Sequence, residues 1–328
     1  MAKNPINYGI LGCGRHARLA HAIPGKDIAS LKLKSLCDIS SESMTALEDA
    51  HGENLQKYTH RKEFFNSDIE AVLIATPDEH HFNDLKEVLA AGKHAFTEKP
   101  IVTKAEELPE LESLLKQAAI NNLVVTSCHL RRYNPPFVWL KENIASLTEK
   151  LGEPIIFSFD FSYHRPSKQW KHERGLLIDH INHEIDLVHY IFGYESFQAT
   201  KLVNRFDEYR VVGLRKDGLQ FDFHGTRRLN ERRYFEFMNV RFEKGTIQIE
   251  TNNQLAELYD HDSGVKINMI IPVADYGASS RGTMENFANA ILGTENCYLS
   301  HVDLYVNNAT GVMLTEKDRW HYDFGVAA

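Results

Sequence analysis

A glycine-rich segment directly after the first predicted strand constrains the fold of this chain more than any other feature. Residues 9–17 read GILGCGRHA and contain the pattern G-x-G-x-x-A. In a strand–turn–helix unit, Gly12 permits the tight turn and Gly14 lets the backbone approach a pyrophosphate at the helix N-terminus. Ala17 supplies the small residue that close helix–strand packing needs. The pattern alone leaves open a glycine-rich turn that holds no ligand.

Short apolar runs alternate with helical patterns as far as about residue 127, at 8–11, 33–37, 71–75, 94–96 and 123–126. This rhythm predicts βαβ units and a doubly wound parallel sheet, the Rossmann type of α/β domain. Beyond it, long β-type runs surround one strong helical pattern, which predicts an α+β domain with a large, mostly antiparallel, open-faced sheet. We therefore expect a dinucleotide-binding domain over 1–128 and a second domain over 129–328.

An acidic residue, Asp38, ends the second predicted strand a little over twenty residues beyond the loop. An acid at this place can bond both ribose hydroxyls and would repel a 2′-phosphate. No arginine follows Asp38 before Arg61, so the expected cofactor is NAD rather than NADP. Asp38 as a helix cap for the segment 40–50 is the alternative, and it does not exclude ribose binding.

Charge and composition exclude several other classes of protein. The net charge of -8 favours neither nucleic acid nor an acidic membrane as a partner. No apolar run approaches the roughly 18 residues of a membrane helix, so we expect a cytoplasmic protein. The four cysteines form no C-x-x-C pair, which argues against a zinc site or a disulfide framework. The histidine pairs at 80–81 and at 180 and 183 lack an evident third ligand, so no metal is expected.

Lys99 is the first candidate for chemistry, because Glu98-Lys99-Pro100 follows a short strand at the expected carboxyl edge of the sheet. An ammonium beside the positive ring of an oxidised nicotinamide is disfavoured, so Lys99 could exchange a proton with a substrate hydroxyl. The alternative is a surface lysine paired with Glu98.

The helical pattern after Gly175 is the second candidate, because it separates into two stripes. Ile178 and Ile181 begin an apolar stripe, whereas Asp179 and His183 begin a polar one on the opposite side. An aspartate one turn from a histidine can orient the imidazole for proton relay during hydride transfer. A solvated polar face explains the same pattern.

Together these segments resemble the Gfo/Idh/MocA oxidoreductase family, and the resemblance extends over nearly the whole chain. Five family motifs occur in order: G-I-I-G-x-G at 9–14, T-P-N-x-x-H at 76–81, A-G-K-H-V-x-x-E-K-P at 91–100, R-R-F-x-P at 131–135 and G-x-L-x-D-x-G-x-H-x-x-D at 175–186. The chain departs from the last motif in carrying Glu-Arg before Gly175, where a glycine-rich lead-in is common. It also carries Ile181 where glycine is common, and this residue belongs to the apolar stripe.

The resemblance implies NAD-dependent hydride transfer between the nicotinamide and a secondary alcohol or ketone of a sugar, inositol or related polyol. By position, Lys99 is the main acid–base residue, His183 its relay partner or the alternative base, and Asp179 a group that orients the substrate. The cofactor-side candidates are Gly12, Cys13, Gly14, Arg15, His16, Asp38, Thr76, Pro77, His81, Glu98 and Lys99. The substrate-side candidates are Lys99, Arg131, His164, Arg165, Trp170, Asp179, His183 and Asp186.

A predicted loop contains three of the substrate-side candidates, His164, Arg165 and Trp170. These side chains could contact a sugar, or they could instead pack against the protein and anchor the loop. The resemblance also implies that 129–328 is a substrate-binding and oligomerisation domain, with a homodimer or homotetramer formed through the C-terminal sheet. Two other functions stay open. The chain could be an NAD-using enzyme that cleaves glycosides with no net redox change, or a non-catalytic regulator that senses a sugar or a dinucleotide.

Overall fold

The computed structural model describes residues 4–163, 175–228 and 235–324, and the chain packs as two units. The first comprises Met1–Tyr133 and Tyr276–Asn308, and the second comprises Asn134–Asp275 and Ala309–Ala328. The sequence predicts one division, at residue 128. In the structure the segment Tyr276–Asn308 also belongs to the first unit, although it follows most of the second unit in the sequence. This segment joins the first unit because Met284, Phe287 and Ala288 are buried in its apolar core.

Within the described residues, six parallel strands form the sheet of the first unit in the order β3-β2-β1-β4-β5-β6. They are β1 (Ile6–Leu11), β2 (Leu31–Cys37), β3 (Gln56–Tyr58), β4 (Ala71–Ile74), β5 (His94–Thr97) and β6 (Val125–Ser127). The order reverses between β1 and β4, and doubly wound folds bind ligands at the carboxyl ends of the strands beside such a reversal. The predicted doubly wound parallel sheet is confirmed.

The helices of the described residues, in chain order, are α1 (Ile23–Gly25), α2 (Ser41–His51), α3 (Arg61–Phe65), α4 (His81–Ala90), α5 (Leu108–Ile120), α6 (Pro135–Leu151), α7 (Leu176–Phe192), α8 (Tyr276–Ile291) and α9 (His301–Glu316). A π-helical segment, Ala17–Ala22, leads into α1. Phe82, Leu85 and Val88 recur at helical spacing in the sequence, and all three are buried on one face of α4. None of these described helices combines the length and the apolar character that crossing a membrane requires.

The sheet of the second unit has nine strands in the part of the chain that is described, in the order β14-β13-β12-β11-β7-β10-β9-β8-β15. They are β7 (Pro154–Ser162), β8 (Phe197–Arg205), β9 (Glu208–Arg215), β10 (Gln220–Thr226), β11 (Phe235–Phe242), β12 (Gly245–Glu250), β13 (Leu255–Asp260), β14 (Lys266–Ile270) and β15 (Arg319–Tyr322). Only the β7–β10 pair among these is parallel, so the predicted mostly antiparallel sheet is confirmed.

One face of this second sheet is covered by α7. The rings of Phe157 and Phe192 lie 5.4 Å apart, and the ring of Phe161 stacks on that of His180 at 3.6 Å. Both stripes of α7 are buried, since His183 and Asp186 are only 8% and 1% exposed. The alternative interpretation of this stripe as a solvated polar face is therefore wrong.

Candidate functional site

The glycine loop after β1 closes against the end of β4. Gly12 has a φ of +89°, and a Cβ placed there would lie 2.6 Å from the backbone nitrogen of Thr76. A side chain is therefore excluded both by the left-handed backbone and by the close approach of the two loops. At Gly14 an added Cβ would meet nothing within 4 Å, so space remains beside its backbone.

Asp38, directly after β2, is bound to this loop through its carboxylate. One oxygen, Oδ2, accepts the backbone N–H of Cys13 at 2.6 Å, and Oδ1 accepts the N–H of Ser40 at 2.8 Å. The cap of α2 is Ser40, whose side chain accepts the Ser43 N–H at 3.1 Å. The capping role considered for Asp38 thus belongs to Ser40. Each Asp38 oxygen keeps a further lone pair, because a carboxylate has about four acceptor positions.

The thiol of Cys13 does not take part in this contact. Burial raises the pKa of the Cys13 thiol, with the nearby carboxylate of Asp38 acting in the same direction. The thiol therefore stays protonated at neutral pH, and the backbone N–H is the group that Cys13 contributes to the loop.

Thr76 and Pro77, after β4, are supported by an ion-pair cluster that the sequence did not predict. The Thr76 hydroxyl donates to Asp84 Oδ2 at 2.5 Å, and Arg61 Nη1 donates to Asp84 Oδ1 at 2.5 Å. The same Arg61 nitrogen lies 2.9 Å from Glu87 Oε2. Two carboxylates therefore hold the first arginine that follows Asp38 in the sequence.

His81 links the loop after β4 to the loop after β5. Its side chain is buried, and Nε2 and Nδ1 each lie 2.8 Å from a carbonyl oxygen, those of Thr76 and Pro100 respectively. This predicted cofactor-side residue therefore sets the spacing of these two loops.

Glu98, at the end of β5, lies at the centre of a buried polar cluster. Its Oε1 lies 2.9 Å from His16 Nε2 and 2.5 Å from His21 Nε2, and its Oε2 accepts the Lys99 N–H at 3.3 Å. Burial opposes ionisation, but the two imidazoles hold the pKa of Glu98 well below its usual range. Glu98 is therefore no surface partner for Lys99. His21 was not predicted, because it lies beyond the glycine pattern in the π-helical segment.

Lys99 is half-buried and follows Glu98 at the carboxyl edge of the first sheet. Arg131 is buried in a short turn after β6, at the same edge. This turn is held by Tyr298, whose hydroxyl donates to Ser127 O and accepts the His129 N–H at 3.2 Å. Asp38 is thus joined to the glycine loop through Cys13, and the glycine loop closely approaches Thr76. His81 joins Thr76 to Pro100. A separate set of contacts joins His16, Glu98 and Lys99.

The predicted substrate-side residues of α7 lie in the second unit. Asp179 Oδ2 lies 3.5 Å from Arg227 Nη2, and these side chains are 15% and 4% exposed. The Arg227 guanidinium also lies over the ring of Tyr163, 5.4 Å from its centre. No sequence pattern distinguishes Arg227 from a solvated charge, yet its side chain is buried beside Asp179.

His183 is buried one turn along α7 from Asp179, with its ring centre 5.5 Å from that of His180. His180 Nδ1 in turn lies 2.8 Å from the buried Glu184 Oε1. Three predicted substrate-side residues, His164, Arg165 and Trp170, lie outside the described residues.

Two sequence profiles of one protein family match this chain. The profile described as "Oxidoreductase family, NAD-binding Rossmann fold" matches residues 6–126. The profile described as "Oxidoreductase family, C-terminal alpha/beta domain" matches residues 141–323. The two matches cover both predicted domains.

Individual relatives are distant. The uncharacterized oxidoreductase YrbE of Bacillus subtilis is 27% identical over 192 residues, which are 58% of this chain and 54% of that protein. An inositol 2-dehydrogenase of Agrobacterium fabrum is 25% identical over 202 residues, 61% of this chain and 58% of that protein. The first of these relatives is thus matched over about half of its length.

Among solved structures, an oxidoreductase from Agrobacterium radiobacter in complex with NAD+, L-tartaric acid and magnesium is similar with a TM-score of 0.79. The similarity covers 98% of this chain and 99% of that one at 16% identity, so it concerns the fold alone.

Proposed function

This chain belongs to the Gfo/Idh/MocA oxidoreductase family, and from that membership we propose that it is an NAD-dependent dehydrogenase or reductase acting on CH–OH groups. Hydride passes between the nicotinamide and a secondary alcohol or ketone of a sugar, inositol or related polyol. The distant similarity to inositol 2-dehydrogenases supports this substrate class.

The single observation that carries the proposal is the placement of Asp38 on the glycine loop. Its carboxylate is fixed by two backbone N–H groups, which leaves acceptor positions for the 2′- and 3′-hydroxyls of an adenosine ribose. A 2′-phosphate would place like charges together, and two charges about 4 Å apart repel by about 4 kcal/mol near a protein surface. Arg61 forms ion pairs with Asp84 and Glu87, so its guanidinium is not available to bind a 2′-phosphate. These contacts support NAD over NADP.

The rest of the loop fits the same cofactor. The open space beside Gly14 would admit a pyrophosphate, which the backbone of residues 12–15 would hold at the start of the π-helical segment. Thr76, Pro77 and His81 would form the wall after β4. Bound NAD would supply a hydride acceptor at this edge of the sheet.

In the proposed mechanism, Lys99 Nζ takes the proton of the substrate hydroxyl during oxidation and returns it during reduction. Asp179 orients the substrate and His183 relays the proton or serves as the alternative base, with Arg131 and Asp186 as further substrate-side groups. The burial of His183 and the pairing of Asp179 with Arg227 support these roles, because groups removed from bulk water interact more strongly with a substrate.

We also propose that the chain forms a homodimer or homotetramer through the sheet of the second unit. Apolar side chains on strands of this sheet are exposed in the single chain, including Leu202 at 56%, Leu214 at 43% and Leu255 at 49%. Burying such side chains against a second copy would stabilise the assembly.

The test is a screen of purified protein with NAD or NADP against inositols, aldoses, uronates and nucleotide sugars. We expect net nicotinamide reduction with NAD and at least one polyol, its loss in Lys99→Met, and its retention in Lys86→Met, which removes a lysine paired with Glu110. Cleavage of a glycoside without net reduction would indicate the redox-neutral activity. Ligand binding without any turnover would indicate the regulator.

A further inference from the structure

We infer that His16, His21 and Glu98 form a binding site for one divalent transition metal ion, with Zn²⁺ as the probe. All three residues lie in the first unit, and none of them belongs to the histidine pairs at 80–81 and at 180 and 183, for which no third ligand is evident in the sequence. One side-chain nitrogen of His16, one of His21 and one carboxylate oxygen of Glu98 lie within 4.8 Å of one another. Among the described residues, this is the only group of three potential metal ligands found that close together.

The donor atoms converge on one place. Glu98 Oε1 lies 2.9 Å from His16 Nε2 and 2.5 Å from His21 Nε2. Zn²⁺ binds imidazole nitrogen and carboxylate oxygen at about 2.0–2.2 Å, so tetrahedral ligands lie roughly 3.3 Å apart. The two Glu98–histidine separations reach this size when the atoms move apart by less than about 1 Å. The ion would then replace the two imidazole–carboxylate hydrogen bonds.

Two of the three ligands are already held in place. His21 is fully buried, and its ring packs edge-on against Phe96 with centres 5.6 Å apart. Glu98 is 6% exposed, and its second oxygen accepts the Lys99 N–H at 3.3 Å. Such outer contacts orient metal ligands and strengthen binding.

The third ligand, His16, gives the site an opening. Its side chain is 66% exposed, so an ion can enter from solvent and keep a water molecule at a fourth position. Two imidazoles and one carboxylate suit Zn²⁺, Co²⁺ or Fe²⁺, whereas Mg²⁺ and Ca²⁺ prefer oxygen ligands.

The position of the site leads to a consequence for cofactor binding, which rests on the proposed function. His16 lies in the loop proposed to hold the pyrophosphate, and Glu98 precedes Lys99. Zn²⁺ and NAD would therefore draw on the same residues, and saturating Zn²⁺ should raise the apparent Kd for NAD.

Zn²⁺ binding to the purified full chain, freed of chelators and affinity tags, tests the inference by isothermal titration calorimetry. We expect one Zn²⁺ per chain and at least about tenfold weaker binding in His16→Asn, His21→Asn and Glu98→Gln. His80→Asn, an exposed histidine outside the cluster, is the matched control and should bind like the unaltered chain. His16→Asn is the decisive variant, because this exposed side chain can be changed with little effect on folding.

A second readout is the visible absorption of Co²⁺, which is intense only in four-coordinate sites and should disappear in the same variants. Failure to bind Zn²⁺ stoichiometrically, or unchanged binding in His16→Asn and Glu98→Gln, would overturn the inference. Zn²⁺ binding without any NAD binding would contradict the proposed function and leave the metal site standing.

Discussion

Alanine substitutions at Gly12 and Gly14 should separate the folding of the loop from its binding of the cofactor. For Gly12→Ala, the left-handed backbone costs about 1–2 kcal/mol. The new Cβ would also lie 2.6–2.8 Å from backbone atoms of Thr76 and Ala75, and overpacking of this kind costs about 1–3 kcal/mol. The free energy of unfolding should therefore fall by about 2–5 kcal/mol.

Gly14→Ala should have the opposite profile. Its Cβ meets nothing within 4 Å, so the free energy of unfolding should change by no more than about 0.5 kcal/mol. The methyl group would fill the space proposed for the pyrophosphate, and NAD should bind at least about tenfold more weakly, which is about 1.4 kcal/mol.

Urea unfolding followed by circular dichroism measures the first quantity, and calorimetric titration with NAD measures the second. A Gly12→Ala protein as stable as the unaltered chain would contradict the role of Gly12 in the tight turn. A Gly14→Ala protein that keeps full NAD affinity would contradict the placement of the pyrophosphate beside Gly14.

Three further predictions concern cofactor choice, chemistry and pH. Asp38→Ala should erode the preference for NAD in binding titrations with NAD and NADP, and equal affinity of the unaltered chain for both would contradict our interpretation of Asp38. Lys99→Met should reduce turnover of any accepted polyol at least about a hundredfold while NAD binding persists, and full activity in steady-state kinetics would exclude Lys99 as the acid–base residue. Burial lowers the pKa of His51 and His94 below the usual 6.5, so at these two positions the folded chain binds fewer protons than the unfolded one. The stability that these two sites contribute should be fully present above about pH 6.5 and be lost as the pH falls through that value toward the folded pKa; a double variant His51→Gln, His94→Gln whose urea midpoint falls as steeply as that of the unaltered chain between pH ~7.5 and ~5.5 would be inconsistent with this.

The architecture followed from local patterns. The G-x-G-x-x-A loop, the alternating apolar runs and the helical spacing of Phe82, Leu85 and Val88 each report a short stretch of chain, and each is reproduced in the structure. The placement of Tyr276–Asn308 did not follow, because no local pattern shows that its apolar side chains pack against strands more than 150 residues earlier.

The site residues that the sequence missed share one property: their partners lie far away in the chain. His21 meets Glu98 across 77 positions, Arg61 meets Asp84 across 23, and Arg227 meets Asp179 across 48. A charged or titratable residue of this kind has the same sequence signature as a solvated one. Only burial and distance, which come from the folded chain, distinguish the two.

The most direct test of the central claim follows a hydride. The accepted polyol, labelled with deuterium at its carbinol carbon, is incubated with the unaltered chain and NAD, and the recovered cofactor is analysed by mass spectrometry. We predict one deuterium at C4 of the reduced nicotinamide, and an initial rate of labelling at least about a hundredfold lower with Lys99→Met. Conversion of the polyol with no label in the nicotinamide would contradict the account.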